Sequence, residues 1–415
     1  MHPSQRTYHD PLHGAITLSQ ADPTEALLIQ LIDTPAFQRL RRIRQLGPAS
    51  LTFHGAEASR FTHSLGVMAV ARRIFDPIAD RYPQLQPYRP LVLCAALLHD
   101  IGHGPFSHTA EDIFKTGHEQ WTQRILQDFQ PIRSLLLQFH PQLPTQLEQV
   151  YCKRFPLPFV WQLVSSQLDC DRLDYLMRDS YFTGASYGKL DLDRILLALG
   201  YDPVTQQLVV AKKGMAAIEH YLIVRYFMYL QVYNHPKNLA ATWVLEHAFA
   251  RARVLLNQND PDLWADQTVQ AWLMHPHQLT LSDYLAADDT VFLYHLQQWR
   301  SHPDSVLADL CRRFLDRDLL KTLDVTDWTE ADRQNYLILT RQHLTSAGWD
   351  PAYYLGMRVC LNRGYTLYQK GIYLQTPQGL QDITERSPLV QTLTQPVKRT
   401  WLIYPRELEN LMGQS

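Results

Sequence analysis

"LVLCAALLHDIGHGPFSH", residues 91–108, decides how this chain is read. An unbroken apolar run ends in adjacent His99 and Asp100, and His103 and His108 follow among Gly102, Gly104 and Pro105. The run predicts a helix over residues 89–101 that is buried on all sides, and "GHGP" ends it. Neighbouring helix positions differ by about 100°, but at a helix end both side chains can bracket one cation. Imidazole nitrogen with carboxylate oxygen suits Fe, Mn, Zn or Ni. Two ligands do not hold a metal, and the alternative is a histidine-rich surface loop.

Two further stretches bear on the choice. In "SRFTHSLGV" (59–67), Ser59 can cap a helix running to Phe75, with Arg60 and His63 on one face. In "SSQLDCDRLDYLMRDS" (165–180), Asp171, Tyr175 and Asp179 form one stripe of a helix expected over 158–179, beside apolar Leu168, Leu173 and Leu176. Acids in so apolar a helix need partners, because buried unpaired charge is costly. A cation and a basic substrate clamp would serve; a salt-bridged, solvated face is the alternative.

The remaining composition narrows the class. With 415 residues, 46% apolar and 19% charged, the chain is globular. Lys plus Arg number 39 against 41 Asp plus Glu, a balance that gives no sign of general binding to nucleic acid or anionic membranes. "FQRLRRIR" (37–44) is the clearest basic patch and keeps nucleic acid as a secondary partner. The N-terminus has no apolar leader. "YLIVRYFMYLQVYNH" (221–235) contains Arg225 and His235 and is too short to span a bilayer. No membrane partner and a cytoplasmic location are therefore expected. Cys94, Cys152, Cys170, Cys311 and Cys360 form no CxxC pair and read as free thiols, with Cys94 and Cys170 as core filler. Helices are expected over 24–32, 35–46, 118–129, 191–199, 213–234, 237–256 and 305–345, with a hairpin at 201–212. "RGYTLYQKGIYLQTPQGLQDIT" and "RTWLIYP" alternate like strands. The layout is an N-terminal segment (1–50), a helical core (51–260) and an α+β C-terminal region (261–415).

The order of motifs carries a resemblance. "DPLHGAI", "DTPAFQRLRRIRQLG", "SRFTHSLGV", "LLHDIGHGPFSH", "GHEQ", "LDCDRLDYLMRDS" and "YLQVYNHPK", spread over residues 8–240, resemble the deoxynucleoside triphosphate triphosphohydrolases of the HD superfamily. These include the SAM-and-HD-domain enzyme and its bacterial relatives. The resemblance implies a mainly α fold, an HD-domain helical bundle with a smaller α+β C-terminal region. It implies that His63, His99, Asp100 and Asp171 bind a divalent metal (Fe, Mn, Ni, Zn or Mg). His103 and His108 would reach the α-phosphate and protonate the leaving 5′ oxygen. His118 and Glu119 match a second catalytic His-Glu pair, and Glu111 stands where the family usually has Asp. Arg60, Arg172 and Arg225 match the triphosphate clamp; relatives often have Lys at the second. Tyr175 would pack on deoxyribose and exclude a 2′-OH, Asp179 would accept the 3′-OH, Gln45 and Leu46 would touch the sugar, and Tyr233 would complete the pocket.

The implied reaction converts a dNTP to deoxynucleoside and inorganic triphosphate by attack at the α-phosphorus. The alternatives are an HD phosphohydrolase with another product pattern, or a nucleotide- or nucleic-acid-binding module with an idle site. Asp33, Gln38 and Arg41 match positions that read a dGTP or GTP activator at a subunit interface, which implies a homo-oligomer, a tetramer; His9 stands where relatives can have Asn. Without the resemblance, Asp33 reads as the cap of the helix opened by Pro35, with Gln38 and Arg41 on a solvated face. His9, His13, His54, His140 and His235 read as structural or exposed.

Overall fold

A computed structural model describes residues 4–366 and 371–408. The chain opens with an antiparallel hairpin, β1 (Gln5–Asp10) and β2 (Gly14–Ser19). Helix α1 (Pro23–Ile32) starts where Asp22 accepts the Glu25 amide. Helix α2 (Pro35–Arg39) is much shorter than expected: after a 3-10 turn the chain is extended at Ile43. Tertiary bonds override the helical periodicity there. Arg44 bridges to Ser59, the Arg60 amide donates to the Ile43 carbonyl, and Asp289 accepts the Arg44 amide.

Helix α3 (Arg60–Arg81) begins at the expected Ser59 cap and runs on past Phe75. Helix α4 (Arg89–Leu98) is buried from Leu91 onward and stops before His99. Then come α5 (His108–Phe114), α6 (His118–Asp128) and two helices not anticipated, α7 (Gln130–Phe139) and α8 (Leu143–Tyr151). The helix expected over 158–179 is two, α9 (Pro158–Val164) and α10 (Cys170–Thr183). Asp169 divides them, because its carboxylate accepts the Ser166 and Arg172 amides and starts a new helix. After α11 (Leu192–Leu196), strands β3 (Leu199–Asp202) and β4 (Gln207–Ala211) form the expected hairpin. Helix α12 (Met215–Met228) passes through a π-helical turn, Tyr229–Tyr233, before α13 (Pro236–Asn257).

Three helices not anticipated follow: α14 (Gln267–Met274), α15 (Leu281–Ala286) and α16 (Asp289–Trp299). The helix expected over 305–345 is α17 (Ser305–Leu315), β5 (Lys321–Asp324) and α18 (Glu330–Ser346). The tail holds α19 (Pro351–Tyr354), β6 (Gly356–Asn362), β7 (Tyr373–Thr376), β8 (Gly379–Asp382), α20 (Pro388–Leu393) and β9 (Val397–Tyr404). Strand β9 lies between β5 and β6, while β7 joins β4 in parallel. Within the strand-like "RGYTLYQKGIYLQTPQGLQDIT", residues 367–370 lie outside the described residues.

The fold is thus mainly helical, with a smaller C-terminal region that carries strands. One core gathers α3, α4, α8, α9 and α10, with Cys94 and Cys170 fully buried in it. A second gathers α13, α14, α16 and α17 around Phe106 and Phe114. The α4–α5 loop therefore lies between two apolar masses, anchored by Ile101 in the first and Phe106 in the second. Among the described residues, no helix is long and apolar enough to cross a membrane.

Candidate metal centre and its cleft

His63 lies one turn into α3, His99 and Asp100 just past α4, and Asp171 in the first turn of α10. The fold brings them together. His63 Nε2 is 3.0 Å from Asp171 Oδ1 and 3.3 Å from His99 Nε2, and Asp100 Oδ1 is 3.2 Å from His99 Nε2. Ligand atoms of His63, His99 and Asp171 lie within 4.8 Å of one another, close enough to share one ion.

The hydrogen bonds behind the two histidines test whether a cation fits. His99 Nδ1 is 2.9 Å from the Ala96 carbonyl, which can only accept, so Nδ1 carries the proton and Nε2 a lone pair. His63 Nδ1 donates to Asp174 Oδ2 at 2.7 Å, which likewise frees Nε2 to ligate. Two nitrogen lone pairs and the Asp171 carboxylate thus converge, with Asp100 alongside and already bound by Arg60, and a divalent cation fits that donor set. The chain alone shows the same demand for positive charge. Burial pulls the His63 imidazole down, yet hydrogen bonds to Asp171 and Asp174 prevail and raise it to about 10.

Asp174, fully buried, belongs to the site although it lies outside the stripe of Asp171, Tyr175 and Asp179 that the sequence predicts. It also accepts from His13 Nε2 at 2.6 Å and from Arg178 at 2.8 and 3.0 Å, and Arg178 reaches on to Asp10 at 2.9 Å. His13, read as structural or exposed, thus stands directly behind the ligand set. A usable signal was Gly66 in "THSLGV": a Cβ there would lie 1.9 Å from Asp174 Oδ1.

A second cluster adjoins the first. Glu111 Oε1 lies 2.7 Å from His118 Nδ1, 3.2 Å from His108 Nδ1 and 3.4 Å from His103 Nδ1. The longer side chain therefore reaches all three rings. These four residues also hold ligand atoms within 4.8 Å and could bind a divalent ion. His103 and His118 stack at 4.0 Å, and His103 Nε2 is 3.3 Å from Asp100 Oδ1, which links the two clusters. Burial, with Arg60 and His118 nearby, holds His103 well below the usual imidazole range. Burial would raise Glu111, but hydrogen bonds from His108 and His118 keep it well below the usual carboxylate range. The His108 side chain is 68% exposed. Glu119 is exposed and shares a cavity with His99, Asp100, His118 and Asp171.

The expected substrate residues are distributed unequally. Arg60 is buried and fully engaged, donating to Asp100 at 2.5 Å, to Ser107 Oγ at 2.9 Å and to the Gln45 carbonyl at 3.3 Å. Arg172 pairs with Asp169 at 2.5 Å and keeps a shielded, unpaired Nε. Arg225 keeps both Nε and Nη1 shielded and unpaired. Tyr233 donates to Asp179 at 2.8 Å, and its ring meets that of Tyr175 edge-on at 6.1 Å. Burial raises Asp179 to about 7, and the Tyr233 bond offsets only part of this. Gln45, Leu46, His108 and Tyr233 line one cavity of 160 Å³.

The N-terminal trio is placed differently from the helix-cap reading. Asp33 ends α1 and pairs with Arg6, while Thr34 occupies the cap position of α2. Gln38 donates to the Ile32 carbonyl at 2.8 Å and accepts from Arg41, which lies over the Phe61 ring at 3.6 Å. In "FQRLRRIR", Arg39 is buried, Arg42 pairs with Asp288 and Arg44 with Glu57.

A family model described as HD domain matches residues 60–155, and one described as HD associated region matches 190–263. The chain is 37% identical to the uncharacterised protein YwfO of Bacillus subtilis, across 97% of this chain and 93% of that protein. A crystal structure of a phosphohydrolase from Bacteroides thetaiotaomicron superposes with a TM-score of 0.85 at 30% identity, covering 97% of this chain and 100% of that one. Human deoxynucleoside triphosphate triphosphohydrolase SAMHD1 is 33% identical over 217 residues, which span 44% of this chain and 34% of that protein.

Proposed function

The chain belongs to the HD-domain phosphohydrolase superfamily, and on that premise we propose that it hydrolyses deoxynucleoside triphosphates to deoxynucleoside and inorganic triphosphate. The observation that carries the reading is the candidate cation site together with shielded, unpaired arginine N–H groups on Arg172, next in the chain to Asp171, and on Arg225. Buried guanidinium donors without partners call for a polyanion.

His63, His99, Asp100 and Asp171 would hold the metal, which when bound polarises a phosphoryl oxygen and acidifies water. Arg225 and Arg172 bind the triphosphate. Arg60 fixes Asp100 in place through its 2.5 Å bond. Tyr175 covers the face where a ribose 2′-OH would project, and Asp179, steadied by Tyr233, accepts the 3′-OH. His108, the exposed member of the second cluster, donates the proton to the leaving 5′ oxygen, and Glu111 orients it. His103 is held neutral by its burial and can donate a hydrogen bond to the phosphate without adding charge.

Incubating the metal-loaded protein with each of the four dNTPs in 18O-water, with and without each nucleotide as activator, tests the reading. Triphosphate carrying the label, with unlabelled deoxynucleoside, is the expected product pair. Monophosphate or single phosphate would favour another HD phosphohydrolase reaction, and binding without turnover would favour an idle module. A guanine nucleotide activator would act at Asp33, Gln38 and Arg41, displacing Arg6 from Asp33. Sigmoidal kinetics and a tetramer are expected, with Asp33→Ala making the kinetics hyperbolic at unchanged metal content.

A further inference from the structure

The loop bearing His103 and His108 is gripped from outside the helical bundle. The Gly102 carbonyl accepts from Tyr284 at 2.5 Å. Arg39 ties the His103 carbonyl, at 2.7 Å, to the Ala287 carbonyl, at 2.8 Å. Gly104 lies so close to Trp272 and Tyr284 that a Cβ would meet them at 3.0 and 3.2 Å. The Phe106 amide donates to Asp289 Oδ1 at 2.7 Å. Phe106 and Ser107 both have φ of +57°, a left-handed conformation that side chains with a Cβ rarely adopt. Such strain persists only where the surroundings over-determine it.

We propose that Asp289, with the α14–α16 segment around it, is the positioning residue that holds the His103–His108 loop in register with the metal centre. Asp289 is 3% exposed, and its two oxygens are divided between two chain segments: Oδ1 takes Phe106 N, and Oδ2 takes Arg44 N at 2.9 Å. Those segments are joined again on the other side. Ser107 Oγ donates to the Arg44 carbonyl at 2.6 Å and accepts from Arg60, which also holds Asp100. One carboxylate from the C-terminal region therefore closes a ring of bonds that ends on a candidate metal ligand. Asp288, its neighbour, does a different job: it caps α16 by accepting the Thr290 and Val291 amides and pairs with Arg42.

The pair Asp289→Ala and Asp288→Ala separates positioning from mere support of α16. The inference rests on the phosphohydrolase reading for its kinetic arm, so a second arm measures amide hydrogen exchange and needs no turnover. Asp289→Ala should lower kcat by roughly 10- to 100-fold while KM stays within about threefold, since a small misplacement of reacting groups costs rate more than binding. It should also speed exchange at Phe106, Ser107 and His108. Asp288→Ala should leave kcat near wild type and speed exchange only at the start of α16. Asp289→Asn, which keeps one acceptor oxygen and turns an N–H toward the other amide, should fall between and serves if the alanine variant does not fold. Wild-type exchange at Phe106 in the Asp289 variants, or equal loss of kcat in both alanine variants, overturns the proposal. A wild-type protein without hydrolysis, but with the predicted exchange pattern, removes the reaction and leaves the clasp.

Discussion

Replacing Asp174 should damage metal binding although Asp174 bonds His63 Nδ1, the ring nitrogen on the far side from Asp171 and His99. Four hydrogen bonds of 2.6–3.0 Å converge on its carboxylate, from His13, His63 and twice from Arg178. Alanine would leave the Arg178 guanidinium, which is fully buried, with Asp10 as its remaining carboxylate. Removing one partner of a buried ion pair costs about 3–5 kcal/mol. Asparagine keeps the volume but offers one acceptor and one donor where only donors arrive, so His63 loses its hold on orientation and tautomer. Loss of such a partner behind a metal-bound histidine typically weakens metal affinity by roughly 10- to 100-fold. The expected outcome for Asp174→Asn is a chelator midpoint lowered by that factor, read as metal retained against increasing chelator, with helicity unchanged. Gly66→Ala should act in the same direction, because the new methyl group occupies the carboxylate's position. A midpoint within about twofold of wild type in both variants would show that His63 is oriented by something other than Asp174.

Four further outcomes can be checked. Asp171→Ala should lose bound metal and hydrolysis together while the protein stays folded, by elemental analysis and circular dichroism; retained metal refutes its place in the ligand set. His108→Ala should keep metal and substrate affinity but lower kcat by about 10²–10⁴, the worth of a general acid; a normal kcat moves the proton donor to His103 or His118. Tyr175→Ala should narrow the preference in kcat/KM for dGTP over GTP, and equal wild-type rates would refute the steric account. Asp179 is raised to about 7 by burial, so the fold favours its neutral form. That stability is present below the unfolded value of about 3.9 and is lost as pH rises through about 7, and Asp179→Asn should flatten this part of the urea-denaturation profile.

The sequence alone determined whatever is written locally. The apolar run before His99, the Ser59 cap, the 201–212 hairpin and the order of His63, His99, Asp100 and Asp171 each depend on spacing within a few residues or on an ordered motif. The mainly helical class followed from the same signals. What only the tertiary structure decided depends on bonds across long stretches of chain. The helix begun at Pro35 stops because Asp289 and Ser59 claim Arg44, and no periodicity within 35–46 records that. The helix expected over 158–179 breaks because Asp169 can satisfy two amides by itself, an option that an apolar count does not register. Asp174 and His13 are 161 residues apart, so their joint role behind His63 could not be read from either stretch. Asp289 lies 183 residues from the Phe106 it holds, in a region whose own sequence carries no catalytic motif. The candidate ligands are suggested by an ordered motif and the resemblance it carries, whereas their orientation depends on buried carboxylates whose partners meet only when the chain folds.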